Sequence, residues 1–307
     1  MKSYNKILII IILIMIMLSA SKLQANTVQY NEFIKSIASY KTQQQVTEIV
    51  DYAQEVMIKD TLTFNNLLSL LDEKSKKDKS NDIKAQRSIL YIEYLLNAKR
   101  FTEAEQKLVE LDRFISTVND KNIVSLAYTS KGDYFNNTND KVSALTFYNM
   151  ALENAKKTNN NVTIVAAYLK QSIINHDLGE YDKALVLAKQ SLKISNEKKI
   201  TKYIIQIYSI IGNTYMRQSN LENSLEYHIK ALKQAEIEKD SIWISSCYNN
   251  IGAVYFNLQD YSKALDNYLK AISFKESDNS NKAKLASSYN NIAIIYRKYK
   301  DYEEALK

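Results

Sequence analysis

Large and small side chains recur along this chain with a fixed step. Within residues 248–271, Tyr248, Ile251, Gly252 and Tyr255 fall at helix spacing, Gln259 and Asp260 interrupt, and Tyr261, Ala264, Tyr268 and Ala271 resume it. Apolar positions at such intervals predict two helices joined by a tight polar turn. The small residues Gly252 and Ala264 let the two backbones approach, and the tyrosines fill the space around them. The same order is found elsewhere. Gly132, Ser172, Gly212 and Gly252 are forty residues apart, and Ala293 follows after forty-one. The marker of the second helix keeps the step at Ala144, Ala184, Ser224, Ala264 and Ala305. Ile92 with Ala104 makes a sixth copy, and Tyr52 with Phe64 and Leu68 reads as a seventh, more degenerate one.

These copies place repeats at about 83–119, 122–159, 162–198, 202–239, 242–279 and 283–307, the last one incomplete. Each helix pair can bury one face only, so stacking must supply the rest of the core. The expected fold is all-α, a right-handed superhelical solenoid of antiparallel helix pairs. Residues 26–82 form an N-terminal helical region with a degenerate repeat; Tyr30, Phe33, Ile34 and Ile37, then Val46, Ile49, Val50 and Ala53, recur at helix spacing. The polar run from Asp72 to Asp82 reads as an internal hinge or a long turn between helices. Asp140, Asn220, Asp260 and Asp301 are placed to cap the helices that follow them.

The markers Tyr208, Ile211, Gly212, Tyr215 and Ala231, those from Tyr248 to Ala271, and Tyr289, Ile292, Ala293, Tyr296 and Ala305 carry a resemblance to the tetratricopeptide repeat family. The match is weaker at Tyr168 and Ser172, where Asn175 stands in the later aromatic position. The family's proline is absent throughout, and the step is longer than the family's period of about 34 residues. The resemblance covers about residues 85–307, or 45–307 with the degenerate copy, and implies that the first helices of the repeats line a concave groove. Residues one turn off the packing positions then face it. On successive first helices these are Gln206, Ser209, Asn213 and Arg217, then Asn249, Phe256 and Asn257, then Asn290, Arg297 and Lys298. Amides can donate to and accept from an extended peptide backbone. Ser209, Asn249 and Asn290 stand where the family's carboxylate clamp wants lysine, which argues against such a clamp.

Composition narrows the picture. The 307 residues include no proline and four glycines, so near-continuous helix with short polar turns is expected. The formal net charge is +7. The lysines are interleaved with Asp and Glu, without a basic stripe or arginine cluster, so a nucleic-acid partner is not expected. Cys247 is the single cysteine, so no intrachain disulfide forms. His176 and His228 lie far apart without ligand-spaced neighbours, and no nucleophile turn or phosphate loop is present. No catalysis, cofactor or metal is expected within these residues. Trp243 is read as packing between repeats.

Residues 1–25 join a basic head to twelve apolar residues, Ile7 to Leu18, and a few small residues. The run is short against the roughly 20 residues of a membrane span and fits a cleaved signal peptide or a retained anchor. The chain is therefore expected to be exported, periplasmic or envelope-associated, with the membrane reached through this segment or through a part beyond residue 307. The second helix of the last repeat is cut short at Lys307, which suggests a longer parent protein. Two functions follow: a scaffold that binds a protein or peptide partner in the groove, or the sensory domain of a longer membrane-bound signalling protein with a histidine kinase or helix-turn-helix output.

Overall fold

A computed structural model describes residues 26–276 and 282–298, and the described residues are all helix and turn. After α1 (26–37) come α2 (Thr42–Val56), α3 (Thr61–Lys77), α4 (Asn81–Asn97), α5 (Phe101–Asp112), a 3-10 turn at Ile115–Thr117, and α6 (Lys121–Asn137). There follow α7 (Lys141–Lys157), α8 (Asn161–Asp177), α9 (Tyr181–Lys198), α10 (Ile204–Arg217), α11 (Leu221–Glu238), α12 (Ser241–Asn257), α13 (Tyr261–Glu276) and α14 (Lys282–Lys298). The leader expected at residues 1–25, the cap expected at Asp301 and the marker Ala305 lie outside the described residues. This is the antiparallel helix-pair repeat architecture that the forty-residue step predicts.

The expected hinge at Asp72 to Asp82 is mostly helix. The α3 helix continues to Lys77, and Leu71 and Ser75 on it are buried. Lys74, Lys76 and Lys77 occupy its last turn, where cations suit the helix dipole. Only residues 78–80 link α3 to α4.

Turns without proline, and with glycine at only one of them, close the helices by one device. Lys79, Lys99, Asn139, Asn159, Gly179, Lys199, Ser219, Lys239 and Gln259 all have positive φ. The amide of the next residue then reaches back to a carbonyl five residues earlier, as in Asp240 N to Ala235 O at 3.0 Å and Asp260 N to Tyr255 O at 3.0 Å. That is the Schellman closure of a helix C-terminus. The same next residue often caps the following helix. Ser80, Asn160, Asn220, Asp240 and Asp260 accept from backbone amides two or three residues on. Asn220 and Asp260 thus cap as expected.

The chain forms two compact units, residues 1–140 and 141–307. In the first, Ile37, Val46, Ile49, Phe64, Leu67, Leu71 and Leu90 make one core, and Ile92, Leu95, Ala104, Leu111 and Ala127 make a second. The twenty-residue turn rhythm lapses after α5. There the Asp82 carboxylate accepts from Asn119 N at 2.8 Å, and Asn81 donates to Thr117 Oγ1 at 2.8 Å. In the second unit, Ile207 and Ile211 pack with Val165, Leu169 and Ala188, while Trp243 and the buried Cys247 pack with Ile204, Ile205 and Ala231. Trp243 is a packing residue, as expected. Burial pushes the Cys247 thiol up to about 12.

The small markers do what their size suggests. A Cβ built on Gly252 would lie 2.8 Å from the Tyr268 ring and 3.2 Å from Ala264 O. One built on Gly212 would lie 2.8 Å from the His228 ring. At Ser172 the marker is a hydroxyl instead, and it donates to Ala184 O at 2.7 Å across the same helix pair.

Candidate functional site

Three cross-links hold the first helices of the second unit in register. His176 Nδ1 lies 3.0 Å from Thr214 Oγ1, Asn257 Nδ2 lies 3.9 Å from Met216 Sδ, and Ser288 Oγ donates to Asn249 Oδ1 at 3.0 Å. The partners are 38, 41 and 39 residues apart, so α8, α10, α12 and α14 set equivalent faces beside one another. The opposite-running helices cover the other face: His228 of α11 presses on Gly212 and Tyr268 of α13 on Gly252.

The residues assigned to the groove fare differently along this strip. Gln206 and Asn213 of α10 are half-buried, Arg217 in its last turn is exposed, and Ser209 is buried with no partner for its hydroxyl. Asn249 of α12 is half-buried and already engaged, donating to Ser245 O at 3.4 Å besides accepting from Ser288. Asn257 is exposed and donates to Ala253 O at 2.8 Å. The half-buried Phe256 ring lies 5.4 Å from that of Tyr261, so it serves the α12–α13 contact as well. Asn290, Arg297 and Lys298 of α14 are exposed. Arg217, Arg297 and Lys298 all end their helices, giving that edge of the strip a cationic character complementary to the helix C-termini.

A second concavity lies outside the residues that the sequence assigns to a groove. It is a cleft of about 490 Å³ between α7, α8 and α9, lined by Leu145, Asn149, Gln171, Asn175, Asp182, Lys183, Val186 and Leu187. Gln171 and Asn175 at its floor are buried. Gln171 Nε2 donates to Asn149 Oδ1 at 2.9 Å, and Asn175 Nδ2 donates to Gln171 O at 2.8 Å. Its trace in the sequence is Asn175 in an aromatic position. Gln171, four residues earlier in an aliphatic position, completes that trace.

Both histidines hold their protons less tightly than a free imidazole. Burial lowers the His176 pKa, and the Arg217 charge adds to that. His228 is fully buried, its pKa is lowered to about 4 by burial, and neither ring nitrogen has a partner. Among the described residues, no group of three or more His, Cys, Asp or Glu could hold a metal ion.

A tetratricopeptide-repeat family model matches residues 203–277, and a second one matches 285–307. No curated protein matches the chain by sequence. Several solved structures share its fold at low identity. A Rap protein complexed with competence and sporulation factor is 16% identical with a TM-score of 0.67, covering 86% of this chain and 74% of that one. NprR in complex with its cognate peptide NprX is 16% identical with a TM-score of 0.62, covering 86% and 76%. Aspartyl phosphate phosphatase F from Bacillus subtilis is 13% identical with a TM-score of 0.63, covering 89% and 76%.

The expected export, with a periplasmic or envelope location and a membrane anchor, is corrected. The similar folds are those of Rap and NprR proteins, and among the described residues no helix is long and apolar enough to cross a membrane. Residues 203–277 and 285–307 thus match tetratricopeptide-repeat models, and the described helices before them form antiparallel pairs as well.

Proposed function

We propose that this chain is a non-catalytic scaffold that binds an extended peptide, or such a segment of a protein, along the strip formed by α10, α12 and α14. The observation that carries this reading is the in-register series of accessible amides and cations on neighbouring first helices: Gln206, Asn213 and Arg217, then Asn249 and Asn257, then Asn290, Arg297 and Lys298. Asn249 and Asn257 spend one N–H inside their own helix, which holds each amide in a fixed orientation. A second N–H on Asn249 remains for a backbone carbonyl, since a primary amide has two donors, while that of Asn257 faces Met216 Sδ. Side chains held in this way lose little freedom on binding, which favours affinity. Arg217, Arg297 and Lys298 at one edge favour a peptide with a carboxylate at the matching end. Similarity to the folds of a Rap protein complexed with competence and sporulation factor and of NprR in complex with its cognate peptide NprX lends support.

The test is selection from a displayed random-peptide library, followed by affinity measurement with a selected peptide. The variant Asn249→Ala/Asn290→Ala/Arg217→Ala is expected to weaken binding at least tenfold while keeping its helical circular dichroism, and Asn290→Ala/Arg217→Ala, which spares the Asn249–Ser288 bond, to weaken it with an unchanged melting temperature. Equal affinity for the variant and the parent protein, across all selected peptides, would remove the strip assignment.

A further inference from the structure

The cleft between α7, α8 and α9 has a counterpart one repeat later, and there it is filled from within. Tyr215 stands forty residues after Asn175, Tyr227 after Leu187, Ile211 after Gln171 and Lys189 after Asn149. In that later repeat the Tyr215 and Tyr227 rings lie 5.8 Å apart, and Lys189 Nζ donates to the Tyr215 hydroxyl at 2.8 Å. The position of Asn175 is aromatic in neighbouring copies, at Phe135, Tyr215, Tyr255 and Tyr296. With Asn175 and Leu187 in place of two aromatic rings, the volume of about 490 Å³ stands open.

The residues at these positions are not simply smaller apolar ones. Gln171 is 4% exposed and Asn175 is 8% exposed. Each commits one N–H within the protein, which orients its amide oxygen. Amide oxygens that line a cleft can accept from a ligand that carries a donor. The walls, Leu145, Val186 and Leu187, are apolar, and Val186 is exposed at the mouth. A flat apolar ring with a hydroxyl donor at its far end satisfies both requirements.

We propose that this cleft receives a tyrosine side chain of a protein partner, its ring between Leu145, Val186 and Leu187 and its phenol donating to the amide oxygen of Gln171 or Asn175. The partner's tyrosine takes the place that Tyr215 fills in the next repeat. The site shares no residue with the α10–α12–α14 strip and stands or falls separately from it.

The probe is N-acetyl-tyrosine amide, titrated into the full chain while methyl and side-chain amide NMR signals are followed. Saturable shifts at Leu145, Val186, Leu187, Gln171 and Asn175 are expected, with a dissociation constant in the millimolar range for a ligand of this size. N-acetyl-phenylalanine amide, lacking the donor, binds several-fold more weakly, and N-acetyl-leucine amide gives no saturable shift. Asn175→Tyr, which refills the space from inside, abolishes the shifts. Val186→Lys, an exposed change that leaves the core intact, weakens binding at least fivefold. The strip variant Asn249→Ala/Asn290→Ala/Arg217→Ala retains the shifts unchanged. Absence of saturable shifts, equal binding of the leucine amide, or undiminished binding by Asn175→Tyr and Val186→Lys would each overturn the proposal.

Discussion

His228 occupies the position held by Tyr148 and Tyr268 in other repeats, pressed against Gly212 as Tyr268 is against Gly252. The ring keeps the shape of the position, but the imidazole brings two nitrogens that find no partner. Burial lowers its pKa from 6.5 to about 4. Above pH 6.5 the ring is neutral in both folded and unfolded chains, and its full contribution to stability is present. As the pH falls from 6.5 towards 4, only the unfolded chain takes up the proton, so stability is lost across that window. The loss is on the order of 3 kcal/mol at its limit, because each tenfold difference in proton affinity between the two chains is worth about 1.4 kcal/mol. His228→Tyr is expected to raise stability at neutral pH by about 1–2 kcal/mol, because it removes unsatisfied buried nitrogens. It should also flatten the pH dependence between 6.5 and 4. Urea unfolding of both proteins at pH 7.5 and pH 5 checks both parts; an equal loss of stability on acidification in the two proteins contradicts the assignment. The substitution is legible in the repeat register, since the position reads as packing. The orphaned nitrogens were not, because they depend on what surrounds the ring.

At the scale of the element, the helices follow from spacing and their ends from local chemistry. Without proline and almost without glycine, the chain still turns about every twenty residues by placing lysine, serine, asparagine or glutamine in the left-handed region. A residue with a Cβ is strained there by about 1–2 kcal/mol relative to glycine. Lys239, at φ 55° after α11, is one such position, and its neighbour Asp240 both completes the Schellman closure and caps α12. Lys239→Gly is expected to stabilise the protein by about 1 kcal/mol, offset in part by the greater freedom of the unfolded chain. Thermal unfolding followed by circular dichroism measures it, and a destabilised variant would show that the side chain matters more than the backbone conformation. The caps at Asn220 and Asp260 could be read in advance because an Asn or Asp before an apolar run is a local signal. The continuation of α3 through Lys77 could not. A lysine-rich run reads as solvent-exposed linker, whereas the buried Leu71 and Ser75 and the favourable dipole keep it helical.

Across the whole molecule, stability is distributed by neighbours. The α10 helix packs against α8, α9, α11 and α12, and α4 against α2, α3, α5 and α6. The α1 helix instead contributes the part-buried Tyr30, Phe33 and Ile34, with only Ile37 buried. In repeat proteins the units with more interfaces open last. Amide hydrogen exchange should therefore be slowest in α4 and α10 and fastest in α1. Uniform protection across these three helices would show that the chain opens as a single cooperative block, against this expectation.

The forty-residue recurrence was enough to establish the helix pairs, their order and their packing markers, because side-chain spacing along one helix is a local property. It also singled out the amides on α10, α12 and α14, since equivalent positions repeat. It could not tell which of those amides are partly consumed by neighbours: Ser288, which engages Asn249, lies 39 residues away. Nor could it find the cleft, which arises where Gln171 and Asn175 meet Leu187 and Asn149 from two other helices. Missing volume and the amides around it are properties of a neighbourhood, and only folding brings that neighbourhood together.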